Sequence, residues 1–309
     1  MINGQYIFYE NNKEIYRSQN TITTFGKKFF TSLISGTASS TTKDLAIGIG
    51  TTSATTADTR LEFEFYRLPV TLTSVDFSSS YTAIFKTTIP QDVIGVISEI
   101  GLFPGTRQSI NNFDSKFITE FSAASDWYTS TNNSTSFTTP TPRIGENVLE
   151  FKFEPADTTN TTREYKYNIG QLDISGYSAK DTLSLAYNRA SSNLTSIKVK
   201  FYSSSGNYYY GTFTPDSGTG NKITTISMSD VFSNTYGTPI ASSISIIGIE
   251  LTRSSAASSA TAYMDGLRIN DDDTFDPNLG LISRSVLGSS ITKSLGRAID
   301  IEYKINLDF

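Results

Sequence analysis

The residues that could do chemistry in this chain are carboxylates, tyrosines, lysines and one tryptophan, because its 309 residues include no cysteine and no histidine. The lack of cysteine excludes disulfide scaffolds, thiolate metal sites and cysteine nucleophiles. The lack of histidine excludes every mechanism in which imidazole is the base or the metal ligand. A hydrolase built from this sequence would have to work with carboxylates, tyrosine or lysine.

Glycosidases use a pair of carboxyl groups, one as an acid and the other as a nucleophile or base. Glu62, Glu64 and Glu99 are the candidates for such a pair. Glu62 and Glu64 belong to the alternating segment 61–67, whose apolar side chains share one strand face while the glutamates share the other. Glu99 follows in a second strand-like segment. The spacing indicates no cleft between these residues, so we expect a protein without enzymatic activity.

Trp127 and the run Tyr208, Tyr209 and Tyr210 are the candidate ligand-binding residues. Aromatic faces bind the apolar C–H side of sugars, so an exposed Trp127 would suit a glycan site. The burial typical of tryptophan favours the alternative, a core residue that anchors a strand. Three consecutive tyrosines place at least one ring on each face of a strand. They suit a glycan or protein surface, and an edge strand with solvent-facing tyrosines explains them equally well.

Asp265 is the candidate metal ligand. Alternation places its carboxylate on the strand face of Leu267 and Ile269, where it needs a counter-charge. A structural calcium ion held by oxygen ligands would supply that charge, and no other cofactor is expected. The alternative that we favour is a salt bridge or a turn hydrogen bond. The acidic run 271–273 lacks the spacing of an EF-hand and indicates a solvated domain boundary.

Local patterns predict the elements near the N-terminus. The apolar run 6–9 and the segment 14–17 flank two asparagines, which predicts a hairpin. Apolar residues then recur at helical spacing over 25–34, and a threonine just before them can cap the helix. Further on, many short strand-like runs are separated by connectors rich in serine, threonine and glycine. This arrangement indicates an antiparallel β-sandwich.

An ordered set of motifs marks roughly the first hundred residues. The set consists of AIGIG at 46–50, then Leu61, Glu64 and Arg67, then SEIGLF at 98–103. In this order the motifs resemble the N-terminal module of tailed-phage tail-collar fibre and related baseplate-fibre proteins. The resemblance implies a docking module that assembles on a virion. It also implies that Glu64 and Glu99 belong to the structural framework, with Arg67 as a partner.

Two patterns in the middle of the chain resemble those of jelly-roll carbohydrate-binding modules. They are F-x-x-x-S-D-W at 121–127 and Y-M-D-G-L-R-I at 263–269. The resemblance implies a β-sandwich that binds glycan.

The run 299–309 alternates most clearly of all, and such a half-buried strand needs a sheet to pair with. Together with Arg284, Leu287 and Lys293 it resembles the C-terminal return of the phage modules. The middle block is then an insertion after Phe103, because insertions succeed at exposed loop tips. We therefore predict a mainly β protein with two domains. Residues 1–110 plus 277–309 form a discontinuous α+β docking domain with one N-terminal helix on a sheet, and residues 111–276 form an inserted antiparallel β-sandwich, a jelly roll.

The net charge of −5, without a basic run, excludes nucleic acid as an expected partner. The first residues lack the pattern of a signal peptide, and no apolar run approaches the ~20 residues that a bilayer requires. We therefore expect no membrane insertion, synthesis in the host cytoplasm and assembly into a virion.

The motifs together predict a bacteriophage virion structural protein of the tail or baseplate fibre type. It would dock on other virion proteins and present the sandwich for adhesion to host-surface glycan. We expect a homo-oligomer, a trimer, because association shields exposed strands. The alternatives are a head decoration or vertex fibre protein, a glycan-active enzyme, and a free adhesin that is not viral.

Overall fold

The computed structural model of the chain describes residues 2–37, 43–76, 81–104, 127–128, 135–137, 140–153, 158–270 and 280–307. The chain divides into two compact units, Met1–Gln108 with Phe275–Phe309, and Ser109–Thr274. The predicted domain boundaries lie close to these divisions, and independent folding of the two domains stays a prediction. Residues 121–126 of the F-x-x-x-S-D-W pattern and the acidic run 271–273 lie outside the described residues.

Strands dominate both units, and two α-helices occur in the described ranges. The helices are α1 (Thr24–Ile34) and α2 (Met228–Ser233). The strands are β1 (Ile2–Glu10), β2 (Lys13–Gln19), β3 (Thr21–Ile22), β4 (Lys43–Gly48), β5 (Glu64–Asp76), β6 (Thr82–Ile89), β7 (Gly95–Phe103), β8 (Trp127–Tyr128), β9 (Thr135–Phe137), β10 (Val148–Lys152), β11 (Thr162–Leu172), β12 (Thr182–Arg189), β13 (Leu194–Ser204), β14 (Asn207–Phe213), β15 (Gly220–Ser227), β16 (Thr235–Tyr236), β17 (Ile244–Arg253), β18 (Thr261–Asn270), β19 (Ser283–Lys293) and β20 (Ile299–Leu307).

The first unit is built on a nine-stranded sheet in the order β2-β1-β20-β6-β5-β4-β7-β19-β3. The predicted C-terminal strand is confirmed: β20 lies between β1 and β6 and pairs antiparallel with both. Its alternation explains this position, because Ile299, Ile301, Tyr303 and Ile305 are buried in the core. Strands β2 and β3 are separated only by Asn20, yet they stand at opposite ends of this strand order. Strand β2 pairs with β1, and β3 pairs with β19.

The predicted hairpin and helix are confirmed, and both follow from local chemistry. Asn11 and Asn12 adopt left-handed backbone angles, φ 51° and 63°, which asparagine tolerates in a hairpin turn. Helix α1 begins after Thr23, whose hydroxyl accepts a hydrogen bond from the Gly26 N–H at 2.9 Å. Phe25 on this helix is buried.

One sequence expectation about the first unit is wrong. The segment 61–67 was predicted as a strand with Glu64 facing outward, but β5 begins only at Glu64 and the residue is buried. The reason is its partner: both Glu64 oxygens accept hydrogen bonds from Arg67, at 2.7 and 2.6 Å. A paired carboxylate can be buried where an unpaired one cannot.

The second unit consists of two antiparallel sheets. One has five strands in the order β15-β12-β18-β10-β9, and the other has six in the order β16-β14-β13-β17-β11-β8. Apolar side chains from both sheets are buried, among them Leu185 on β12 and Val199 on β13. The predicted fold class is confirmed: the protein is mainly β, with an antiparallel β-sandwich of the jelly-roll type and a smaller sheet unit that carries one N-terminal helix.

Candidate functional site

The tyrosine run lies on β14, and its rings separate to the two faces of the six-stranded sheet. Tyr209 points to one side, where its hydroxyl donates to the Pro239 carbonyl at 3.0 Å and its ring meets Phe232 edge-on at 5.5 Å. Tyr208 and Tyr210 lie on the opposite side, with ring centroids 6.0 Å apart. The sequence prediction that each face would carry a tyrosine is therefore confirmed.

Two further tyrosines from neighbouring strands complete an aromatic patch around Tyr208. Its ring stacks on Tyr236 of β16, with centroids 5.3 Å apart and planes 14° from parallel. On the other side it meets Tyr202 of β13 at 4.7 Å. Tyr236 is 59% exposed, Tyr208 and Tyr210 are half-buried, and Tyr202 is buried. We call Tyr202, Tyr208, Tyr210 and Tyr236 the tyrosine surface.

Three lysines and two glutamates adjoin the tyrosine surface on the same sheet face. Lys200 lies 2.8 Å from Glu250 and 3.4 Å from Glu164. Lys198 lies 3.1 Å from Glu250, and Lys166 lies 3.6 Å from Glu164. The five residues form one network of ion pairs, which we call the lysine–glutamate layer.

The two sets of residues are held together by contacts between rings and ammonium groups. Lys166, Lys198 and Lys200 place their Nζ atoms 4.5, 4.9 and 4.9 Å from the ring centroids of Tyr202, Tyr210 and Tyr208 respectively. Such cation–π contacts favour the charged lysine and fix the ring above it. These contacts set the orientations of the Tyr202, Tyr208 and Tyr210 rings.

Gly248 leaves the room that Tyr202 needs. A Cβ atom at this position would lie 2.5 Å from Glu164 Oε1 and 2.9 Å from the Tyr202 ring. Without it, the Tyr202 hydroxyl donates to Glu164 Oε1 at 2.5 Å. The glycine therefore allows a tyrosine on β13 to reach a glutamate on β11 across the intervening strand β17.

The pKa shifts of Tyr202, Lys200 and Glu250 each favour the charge state that the group ordinarily has near neutral pH. Burial raises the pKa of Tyr202, and its hydrogen bond to Glu164 raises it further. Burial acts to lower the pKa of Lys200, but the hydrogen bond to Glu250 and the two carboxylate charges outweigh it, and the pKa is raised. Burial acts to raise the pKa of Glu250, but Lys200 and Lys198 outweigh it, and the pKa is lowered.

Trp127 lies in the core of the second unit, on β8. It is 4% exposed, meets Phe151 edge-on at 5.1 Å and lies against Tyr167 at 5.5 Å. These contacts are those of the core anchor that was favoured over a stacking platform. The structure does not bring Trp127 into the tyrosine surface.

Asp265 is buried and pairs with an arginine. Its Oδ2 accepts from Arg143 Nε at 2.8 Å, and its Oδ1 accepts from the backbone N–H groups of Arg143 and Ile144 at 3.2 Å each. This is the salt bridge that was favoured over a calcium ion. The described part of the chain holds no group of three or more acidic residues that could bind a metal.

The glutamates weighed as a glycosidase pair have structural partners instead. Glu99 is fully buried, and its Oε1 accepts from the backbone N–H groups of Gly50 and Phe63 at 3.0 and 2.8 Å. Its Oε2 accepts from the Glu62 N–H at 3.0 Å and from Arg284 Nε at 2.9 Å. Arg67 was the expected partner of the two framework glutamates; it pairs with Glu64, whereas Glu99 pairs with Arg284.

Sequence reasoning found the center of the tyrosine surface but missed its edges. Tyr202 and Tyr236 are not adjacent to the tyrosine run in the sequence, and only strand pairing brings them to Tyr208. One signal was available for the lysines, because Lys198 and Lys200 alternate with apolar residues and so share the outer face of a strand.

Solved structures of other proteins are similar to about half of this chain. No protein-family model matches the chain, and no curated protein matches it. An exo-β-agarase is similar over 54% of this chain and 26% of its own, with 11% identity and a TM-score of 0.39. A family 11 carbohydrate-binding module of a cellulosomal cellulase from Clostridium thermocellum is similar over 54% of this chain and 96% of its own, with 15% identity and a TM-score of 0.35.

A phage protein is also among the similar structures. The enzymatically active domain of tailspike protein 4 from bacteriophage CBA120 is similar over 50% of this chain and 21% of its own, with 12% identity and a TM-score of 0.33. The chain spans about a quarter of the length of the agarases it matches. Separately, neither helix of the described ranges is long and apolar enough to cross a membrane.

Proposed function

We propose that this chain is a bacteriophage virion protein of the tail or baseplate fibre type, in which the first unit docks on the particle and the second unit adheres to glycan on the host surface. The observation that carries the adhesive role is the tyrosine surface. Four rings from β13, β14 and β16 lie together, and the most exposed of them, Tyr236, stacks on Tyr208.

Aromatic rings held in this way suit a sugar ligand. A pyranose presents an apolar C–H face that packs on a ring, and hydroxyl groups at its rim that need hydrogen-bond partners. The lysine–glutamate layer supplies both donors and acceptors next to the rings. Because Tyr202, Tyr208 and Tyr210 are already held by their lysines, binding loses little side-chain entropy at these rings.

The docking role is supported by the way the fibre-like motifs come together. Gly48 and Gly50 of the first motif border the Glu99 carboxylate of the third, since a Cβ on either glycine would lie 2.5 Å from Glu99 Oε1. Arg284, from the C-terminal segment, closes the same cluster through its ion pair with Glu99 at 2.8 Å. Motifs distant in sequence therefore form one buried polar cluster in the first unit.

An adhesive rather than enzymatic role is supported by the state of the candidate acids. Glu64 and Glu99 are buried and bound to arginines, so neither is placed to protonate a glycosidic oxygen. An active enzyme would release reducing ends from a capsular or cell-wall polysaccharide. We expect no such release.

The virion role is tested by immunogold electron microscopy of intact particles, with antibody raised against the second unit. Label at the tail end is the expected result, and label over the capsid would favour a head decoration or vertex fibre protein instead. If broken particles also carried no label, the virion role would be wrong. The expected trimer is tested separately on the isolated protein by analytical ultracentrifugation, and a protein that stays monomeric at high concentration would contradict it.

The adhesive role is tested with fluorescently labelled full-length protein and intact host cells. Binding should disappear after periodate oxidation of the cell surface, which destroys the vicinal diols of sugars. It should also fall with Tyr208→Ala but not with Tyr263→Ala. Tyr263 is a matched control, because it is a half-buried tyrosine on the other sheet, beside the Lys152–Glu150 ion pair. Binding that survives periodate would contradict the glycan assignment.

A further inference from the structure

We propose that the tyrosine surface takes an electrically neutral saccharide in preference to an acidic one. This inference rests on the proposed glycan adhesion and narrows its ligand class. It follows from where the charges of the lysine–glutamate layer lie and from what they already contact.

Each ammonium group of the layer is already paired. The longest of the four ion-pair distances is 3.6 Å, between Lys166 and Glu164, and Lys200 reaches both Glu164 and Glu250. An acidic sugar would have to share these ammonium groups with carboxylates that are fixed in place. Three ammonium groups against two carboxylates leave one net positive charge, which is spread over the network and not concentrated at one open position.

The most strongly bound cation is also the least accessible. The Lys200 side chain is 7% exposed and lies against the Tyr208 ring as well as two glutamates. The accessible groups are mixed in sign: the side chains of Lys166 and Lys198 are 34% and 29% exposed, and that of Glu164 is 21% exposed. A sugar carboxylate near either accessible lysine would also lie near a glutamate, well within the Debye length of about 8 Å.

Sugar hydroxyl groups match this mixture better than a carboxylate does. A hydroxyl can donate to Glu164 or Glu250 and can accept from Lys166 or Lys198, whereas a carboxylate can only accept. A neutral saccharide packed on the exposed ring of Tyr236, beside Tyr208, would therefore satisfy groups of both signs along the edge of the rings. A polyanion would satisfy only the lysines and would be repelled by the glutamates.

The test compares two sets of polysaccharides on full-length protein by affinity electrophoresis and isothermal titration calorimetry. The neutral set is mixed-linkage β-glucan, galactomannan and dextran, and the acidic set is alginate, polygalacturonate and hyaluronate. We expect binding to at least one neutral polymer. Its affinity should change by less than about twofold between 50 and 500 mM NaCl, because screening acts on charge and not on ring stacking.

Substitutions locate the site. Tyr208→Ala should weaken binding of the neutral polymer by about tenfold or more, through loss of aromatic contact. Tyr263→Ala, on the other sheet, should leave it unchanged. Glu250→Gln releases Lys198 and Lys200 from one carboxylate, so it should create or strengthen salt-sensitive binding of the acidic polymers.

The outcomes separate the inference from the proposed function. Salt-sensitive binding of acidic polymers alone, with loss in Tyr208→Ala, would overturn the neutral preference and leave glycan adhesion standing. Neutral binding that Tyr208→Ala does not weaken would place the site elsewhere and overturn the inference. Binding to no polymer of either set would count against glycan adhesion itself, and the inference would fall with it.

Discussion

Replacing Glu99 by glutamine, which exchanges one carboxylate oxygen for an NH2 group, should strongly destabilise the first unit. The carboxylate is fully buried and accepts four hydrogen bonds, two on each oxygen. A glutamine fills the same volume, but whichever way its amide is oriented, its NH2 group faces two N–H donors. The substitution also leaves Arg284, whose side chain is 4% exposed, without one of the two carboxylates that lie 2.8 Å from it.

The expected magnitude follows from these contacts. Removing one partner of a buried ion pair costs about 3–5 kcal/mol, because the other charge stays buried. Asp58, at 2.8 Å from Arg284, keeps part of the compensation and argues for the lower half of that range. A loss of about 3–4 kcal/mol is a large share of the stability of an ordinary domain. It corresponds to a fall in melting temperature of about 10 °C.

Urea unfolding of the full chain measures this loss, because the single tryptophan belongs to the second unit. Trp127 fluorescence reports the second unit, and far-UV circular dichroism reports both. We expect Glu99→Gln to lower the urea midpoint of the first unit, which is seen by circular dichroism, and to leave the midpoint reported by Trp127 fluorescence unchanged. A shift of both transitions together would show that the two units unfold as one and would contradict the two-domain prediction.

Two controls decide whether the ion pair is the cause. Glu14→Gln makes the same chemical change in an exposed pair with Arg17 and should have no measurable effect. The double variant Glu99→Gln with Arg284→Met should lose less than the sum of the two single variants, by about 1 kcal/mol or more. If Glu99→Gln unfolds at the same urea concentration as the wild type, the buried ion pair does not stabilise the unit as argued.

Four more predictions concern other contacts in the two units. Gly248→Ala should displace Tyr202 from Glu164 and weaken glycan binding while Trp127 fluorescence still shows a folded second unit. The lowered pKa of Glu250 means that its ion pairs contribute stability above about pH 4.5 and lose it as the pH falls through the folded-state pKa; the stability difference between the wild type and Glu250→Gln, measured by urea unfolding, should therefore be constant near neutral pH and shrink in acid. Chelation with EDTA should leave the melting temperature unchanged, because Arg143 supplies the counter-charge of Asp265, and a lower melting temperature would revive the calcium interpretation. Deleting residues 298–309 removes the strand between β1 and β6, so circular dichroism should show an unfolded first unit and unchanged Trp127 fluorescence.

Local signals explain which parts of the fold could be predicted. The turn at Asn11 and Asn12, the cap at Thr23 and the alternation in β20 each depend on residues close together in the sequence. Helix α2 was missed because six residues give too short a pattern to separate from the strand before it. Its local signals are the Ser227 hydroxyl, which accepts from the Ser229 N–H at 3.0 Å, and the acidic Asp230 in the first turn.

The site was harder to predict than the fold, since strand pairing creates it. Tyr236 belongs to a strand of two residues, which no periodicity can reveal. It is positioned by contacts of the same edge: Tyr208 pairs with it, and the Asn234 carbonyl accepts from the Tyr210 N–H at 3.0 Å. The burial of Glu64 was also missed. Alternation predicts which strand face a residue occupies, but it does not show that the Arg67 side chain pairs with Glu64.

The two units also differ in what their sequence patterns specify. In the first unit, Gly48, Gly50, Glu99 and Arg284 constrain one another through a single buried carboxylate, so a change in any of them affects the rest. Because these residues constrain one another, they occur together as a motif in the sequence. The motif therefore reports the structural framework of the first unit and not a binding site. The tyrosine surface is coupled differently: Tyr208 covers the buried Lys200 and Tyr202 holds Glu164, whereas Tyr236 is exposed and stacks on Tyr208. Replacing Tyr236 should therefore change the proposed glycan recognition of the second unit, while the first unit, and with it the proposed docking on a virion, stays the same.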